Sequence, residues 1–285
     1  MKLTCLEKVC VPAEQKKVNE DELYCSESVA FILDGATGLG EPLINNEESD
    51  ASWFVRNLKS FFTSRLNDNE SVEESLFYAV KKTKYLFDEI TSKSDVRKFQ
   101  VPSSGLILVH LKDHTLSIHR LGDCEIYCLL EDGKIWTLPK SPLESFDNHS
   151  ISLLQKEIAA GKPFSDARKA IAPTLRRTRS KMNSPGGYSA LSPGLEYMKH
   201  LETKKLDAKK VSKILLCSDG FSISFKQYGI CKVDDILSSR APSLKKIIKE
   251  IRKTENDDKS LLKYPRLKPQ DDATAIIIEV EKLFQ

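Results

Sequence analysis

The hydrophobic period of this chain changes as it runs from strand-like to helical and back. Residues 28–34, SVAFILD, form a near-continuous apolar run that predicts a buried strand stopping at Asp34. Helical spacing follows. Phe54, Leu58, Phe61, Phe62 and Leu66 share one face, and Val72, Leu76, Ala79, Val80, Thr83, Phe87 and Ile90 share another, so two amphipathic helices are expected. Ser71 and Glu74 supply a capping box at the start of the second. From residue 103 the period falls to two. SSGLILVHLK, HTLSIHRLG, CEIYCLLE and GKIWTLP are separated by the turn signals Lys-Asp-His, Gly-Asp and Glu-Asp-Gly, which predicts an antiparallel meander.

Residues 140 to about 186 are polar, basic and irregular, with helical pieces in SLLQKEIAAG and SDARKAIAPTLRRTRSKM. A strand at GYSAL, a short helix around 193–200 and a buried strand KILLCSD come next. Helices near 232–238 and 242–253 precede the loop TENDDKSLLKYPRLKPQ and a final strand, ATAIIIEV. Hairpin-joined strands with helices grouped in pairs indicate an α+β layered fold, and two packed sheets with helices outside account for both. The expectation is one domain over 1–285, with 140–186 as a flap-like basic elaboration.

Composition narrows the function classes without choosing one. The 285 residues are 40% hydrophobic and 30% charged, an ordinary globular balance. A net charge of +3 does not suggest nucleic acid or a membrane as main partner. No apolar run approaches the roughly 20 residues that span a bilayer, and MKLTCLEKVCVPAEQKK lacks the apolar core of a signal peptide. The seven cysteines are odd in number, show no CxxC, and lie mostly in strand-like segments. They are expected to be buried free thiols of a cytoplasmic protein.

The candidate chemistry lies at strand ends. Asp34 and Asp219 each close an apolar run and are followed by Gly; Asp271-Asp272 open the last one. A carboxylate at the tip of a buried strand is costly unless it meets a cation or a donor. One Asp-Gly alone is an ordinary turn, but three such tips suggest a shared site for a hard cation such as Mg²⁺ or Mn²⁺. The Gly35 carbonyl would be accessible to such a cation, and Gly38 and Gly40 keep the following loop open. Zinc is disfavoured, since the cysteines lack ligand spacing and His110, His114, His119, His149 and His200 form no HExxH motif. GATGLG lacks the GK[ST] ending of a phosphate loop, and no GxSxG elbow is present. Water activated by two cations, with no protein nucleophile, is the chemistry expected.

The order of these motifs resembles the metal-dependent protein phosphatases of the 2C type (the PPM family). NEDEL at 19–23 resembles the family's N-terminal acidic motif, and FILDGATGLG its Asp-Gly motif. SSGLILVHL with HRLGDCEIY resembles its paired strands, ILLCSDGFS its Ser/Cys-Asp-Gly motif, and DDATAIIIE its closing strand. GGYSALSPGLEYMKH looks closest to bacterial members. The resemblance implies a central two-sheet antiparallel β-sandwich flanked by helix pairs, and hydrolysis of phosphoserine and phosphothreonine in proteins. It also implies two Mg²⁺ or Mn²⁺ ions and a third, weaker site. By motif, Asp34 would bridge both cations, the Gly35 carbonyl would bind one, and Asp219 and Asp271 would complete the other. Glu20 and Asp21 would hold waters, and Asp123 would support the third site. Asp272 falls where the family often has Asn and ranks below Asp271.

Two departures matter. Ala36 stands where many eukaryotic members carry a His taken as a general acid, and Lys16, beside Lys17, stands where the family often has a phosphate-gripping Arg. Lysine can still meet phosphate as a point charge. Ser103-Ser104-Gly105 replaces Gly-Ser-Thr, a change expected to affect packing more than chemistry. Arg168, Lys169, Arg176, Arg177, Arg179 and Lys181 crowd one stretch, either to steer an acidic phosphorylated substrate or as a solvated helix face. Two other functions stay open: a catalytically silent module that binds a phosphoprotein or partner, and a hydrolase of a small phosphorylated metabolite. A monomer is expected.

Overall fold

The computed structural model describes residues 1–16, 18–44, 48–66 and 71–282. Two five-stranded antiparallel sheets pack face to face. One runs in the order β1 (Lys2–Val11), β10 (Ala273–Glu281), β9 (Val211–Cys217), β6 (Glu125–Leu130), β7 (Ile135–Thr137). The other runs β2 (Asp21–Cys25), β3 (Val29–Ala36), β4 (Ser103–Lys112), β5 (Thr115–Leu121), β8 (Glu202–Asp207).

Side-chain alternation divides each central strand between two apolar layers. In β3, Ala30 and Ile32 face the opposite sheet, where Ile126, Ile214, Leu216, Ile276 and Ile278 meet them. Phe31 and Leu33 face outward and are covered by α1 (Asp50–Thr63) and α2 (Val72–Thr91), through Phe54, Leu58, Phe62, Leu76 and Val80. Both faces are therefore dry, which is why this strand reads as a continuous apolar run. The other sheet's outer face, with Leu215 and Ala275, lies under α5 (Asp219–Lys226), α6 (Val233–Leu237) and α7 (Leu244–Asp257), through Phe221, Leu237, Ile247 and Ile251. The Ser71–Glu74 capping box forms as expected at α2. Residues 143–180 form a helical hairpin, α3 (Leu143–Ala159) and α4 (Phe164–Ser180), closed by Leu154, Ala167 and Ile171.

Several expectations are corrected. The four runs after residue 103 do not form one meander. β4 and β5 pair, but β5 continues to β8, and the chain crosses at Gly122 to the other sheet, where β6 pairs with β9 and β7. Local alternation cannot distinguish a hairpin from a crossover. GYSAL makes only isolated bridges, Met182 with Tyr188 and Ser104 with Leu191. β1, β2 and β8 went unanticipated, and all three are sheet edges, where half-exposed strands carry polar residues. α5 was also missed. Of the seven free cysteines, Cys124, Cys128 and Cys217 are buried, Cys10, Cys25 and Cys231 are half-buried, and Cys5 is exposed. Among the described residues no helix is long and apolar enough to cross a membrane.

Candidate metal centre

Antiparallel pairing gathers the acidic motifs. The C-terminal ends of β3 and β5 share one edge of their sheet with the N-terminal ends of β2 and β4. The end of β9 and the start of β10 lie together in the other sheet. Asp34, Asp123, Asp219 and Asp271 consequently line one cavity of about 820 Å³ roofed by α3 and α4, along with Glu20 and Lys16. Asp21 lies buried beneath it, directly opposite Asp34 in the β2–β3 ladder. Lys17 falls outside the described residues.

Both Asp-Gly steps are needed for this convergence. A Cβ at Gly35 would sit 2.2 Å from the Glu20 carbonyl oxygen, and the Gly35 amide donates to that oxygen at 3.0 Å. A Cβ at Gly220 would sit 2.0 Å from the Asp272 carbonyl oxygen. Each glycine thus lets one acidic segment cross tightly over the backbone of another. Gly105 lies opposite Asp34 in the ladder, and a Cβ there would press on Cys124 Sγ at 3.1 Å and touch Asp123 Oδ1 at 3.4 Å.

The charges are unevenly compensated. At one side, Asp272 is a structural clasp: its carboxylate accepts from the Ala13 and Glu20 amides at 2.8 and 2.9 Å and from Lys16 Nζ at 2.9 Å. Lys16 also donates to Glu20 at 2.6 Å, and Thr37 donates to the other Glu20 oxygen at 2.5 Å. The candidate phosphate ligand Lys16 therefore spends two of its three donors on carboxylates. Lys268, on the loop before β10, donates to both oxygens of Asp271 at 2.9 and 2.7 Å. Burial pushes the Asp271 carboxyl up, but Lys268 and then Lys16 outweigh it and hold it below its usual range.

The opposite holds at the centre. Burial, then Asp21, Asp219 and Asp123, push Asp34 well above the usual carboxylate range. Burial dominates at Asp21 too; a Thr274 hydrogen bond opposes it, and Asp272, Asp271 and Asp219 add to it. Asp21 Oδ2 is buried with no hydrogen-bond partner among the described residues. Burial with Asp271 and Asp123 pushes Asp219 up to about 7. Burial with Asp147 takes Asp123 to about 7. Asp219 stands close enough to Asp34 to share a hydrogen bond with it. Carboxylates this close need a proton or a cation between them.

The donor set suits Mg²⁺ or Mn²⁺: oxygens only, an orphaned buried carboxylate oxygen, and open cavity for retained waters. No group of three or more His, Cys, Asp or Glu side chains among the described residues forms a ready-made cage. The fit is accordingly to an ion that keeps much of its hydration shell.

The structure adds residues that the strand-end pattern missed. Asp147 of α3 reaches the cavity, and burial and Asp219 push it up to about 7. Its only sequence signal is a lone Asp in a polar helix. Lys268 sits in the loop before β10, where its sequence neighbours give it no distinguishing signal. The basic stretch is not one solvated face. Arg179 Nη2 donates to the Ala36 and Val101 carbonyls at 2.5 and 3.2 Å, Arg168 donates to the Leu267 carbonyl at 2.7 Å, and Arg176 stacks on Phe99. α4 is thereby tied to the end of β3 and to the Lys268 loop.

A family model described as Protein phosphatase 2C matches residues 14–262. No curated protein matches the chain by sequence. Similar solved structures include the serine/threonine phosphatase PstP/Ppp of Mycobacterium tuberculosis, 13% identical over 99% of this chain and 100% of that one, with a TM-score of 0.59. PppA of Pseudomonas aeruginosa is 14% identical over 98% of each chain, with a TM-score of 0.57. The PstP catalytic domain in complex with two manganese ions is 13% identical over 98% of each, with a TM-score of 0.54. With the family match covering most of its length and the sandwich placing its acidic motifs at one edge, this chain belongs to the protein phosphatase 2C family.

Proposed function

We propose that this protein hydrolyses phosphoserine and phosphothreonine in protein substrates, using two divalent cations, Mg²⁺ or Mn²⁺, held at the strand-end carboxylates. The observation that carries the reading is the crowding of Asp34, Asp219, Asp21 and Asp123, which the protein's own cations compensate only in part. The two-manganese complex of PstP adds family-level support. When bound, the cations would supply the charge that acidifies a water and neutralises phosphoryl oxygens.

The chain's own groups have separable roles in this reading. Asp34 and the Gly35 carbonyl would hold the two ions. Asp219 and Asp271 would complete the set that holds them, and Asp123 would hold a third, weaker ion. Glu20, fixed by Lys16 and Thr37, and Asp21 orient water. Lys16 retains one donor toward the phosphate. α3 and α4 line one side of the cavity, where they would face the substrate. Ala36 has no proton to give, so the leaving alkoxide takes its proton from water or from a cavity acid.

The test is release of phosphate from phosphopeptides with Mn²⁺, with and without chelator. Loss of turnover in chelator and in Asp34→Asn and Asp219→Asn is expected; metal-independent turnover, or full activity in either variant, overturns the reading. The ion pairing of Asp271 with Lys268 favours a second reading, a silent module that binds a phosphoprotein. Calorimetry separates the two, because the silent module would bind no Mn²⁺.

A further inference from the structure

The least expected group in the cavity is a lysine. Lys268 projects from the loop between α7 and β10, outside the span of the family match. Pro269 follows it and restricts its backbone toward extended geometry. The loop is held independently: Arg266 donates to Asp258 at 2.8 Å inside the protein, and Arg168 and Gln155 of the helical hairpin hold the carbonyls of Leu267 and Leu261. A rigid base therefore delivers a flexible ammonium onto Asp271.

That ammonium takes both oxygens of the carboxylate, at 2.9 and 2.7 Å, and the Asp272 amide takes Oδ1 as well at 3.0 Å. Little of the Asp271 lone-pair capacity is left for a metal. Lys268 also feels Asp219 and Asp34. Its side chain lines the cavity and stays about 39% exposed, so it has space to move into. A lysine ammonium is a point charge on a four-carbon stem, able to leave one partner for water or an anion without backbone motion.

We propose that Lys268 is a tethered counter-cation of the metal centre: its ammonium occupies the Asp271 carboxylate until a divalent ion displaces it, and so sets the affinity of the Asp219–Asp271 side. The inference rests on the metal-binding reading above and concerns binding, not turnover. It explains why both oxygens of Asp271 carry a lysine ammonium while Asp34, Asp21, Asp123 and Asp219 form no ion pair among the described residues. Displaced into the cavity, the ammonium would face an incoming anionic group.

The test is Mn²⁺ calorimetry on the wild-type protein, Lys268→Gln and Lys226→Gln. Lys226 also lines the cavity but is paired with Glu125, so its loss controls for charge alone. Removing the competitor should tighten Mn²⁺ binding on the order of tenfold, while Lys226→Gln stays within about twofold. A thermal melt in chelator should show Lys268→Gln less stable than wild type, with a larger rise on adding Mn²⁺. Should Lys268→Gln fail to fold, the side-chain amine resonance of Lys268 in the wild-type protein, assigned by its absence from Lys268→Arg, decides the matter. It should shift as Mg²⁺ is added. Wild-type binding with no tightening in Lys268→Gln, or an amine resonance unmoved by Mg²⁺, overturns this inference alone. No binding to any variant overturns it together with the metal-centre reading. Binding to Lys268→Gln but not to wild type supports the inference and sinks the proposed activity.

Discussion

Asp34 is flanked across the ladder by Asp21 and has Asp219 beside it, and both add to burial in raising it. Such a residue is kept at a cost in stability, as is common at functional sites. Asp34→Asn should therefore raise the melting temperature of chelator-treated protein, by about 2–4 °C for each kcal/mol recovered, while abolishing the Mn²⁺-induced rise. A melt that falls in the variant would show that the carboxylate is structurally required. Gly35 behaves oppositely. Gly35→Ala forces a methyl to within 2.2 Å of the Glu20 carbonyl and 3.2 Å of Val55 Cγ1. Urea denaturation should show a loss of at least about 2 kcal/mol, because neither neighbour is free to yield. Asp34, Gly35, Asp219 and Asp271 stood out in the sequence because strand patterning marks where an apolar run meets a charge. Lys268 and Asp147 could not stand out, since their importance comes from what they face and not from their neighbours in the chain.

At the level of elements, the α3–α4 hairpin buries only a small core of its own and is held by a few polar ties. Arg179 is the principal one on the β3 side, with Ala36 and Val101 as acceptors. Arg179→Ala should leave the urea midpoint of the sandwich nearly unchanged but speed amide exchange across 164–180, read by hydrogen–deuterium exchange. Unchanged protection there would show that apolar contacts alone hold the hairpin. Helices α1, α2 and α7 matched expectation through one strongly apolar face, and α4 and α6 also fall where helices were expected. The strands that escaped notice were the edges β1, β2 and β8, whose solvent side interrupts the apolar alternation. Element type was legible where burial is one-sided and continuous, and illegible where an element borrows its order from a neighbour.

Across the whole molecule, the partly compensated acids couple stability to pH. Asp123 and Asp219 rise from 3.8 to about 7 on folding. Between those values the folded state binds more protons than the unfolded state, so their contribution is full below pH 3.8 and is lost as pH rises through about 7. The metal-free protein should therefore melt at progressively lower temperature from pH 5 to pH 8, and saturating Mn²⁺ should flatten that slope. A profile in chelator that is already flat would argue against the crowding. This behaviour belongs to no single segment, since the interacting acids come from β2, β3, the β5–β6 crossover, α5 and the approach to β10.

By itself, the sequence determined the layered α+β class, the two helices over the first sheet, the α2 cap and the positions of the strand-end acids. These follow from local periodicity and from the cost of charge at the end of a buried run. Only tertiary structure decided that the period-two runs split between two sheets at Gly122, that Asp272 serves as a clasp, and that Lys268 sits on Asp271. Pairing partner, enclosure and electrostatic neighbourhood depend on segments as distant as residues 16 and 272, and no local pattern encodes them.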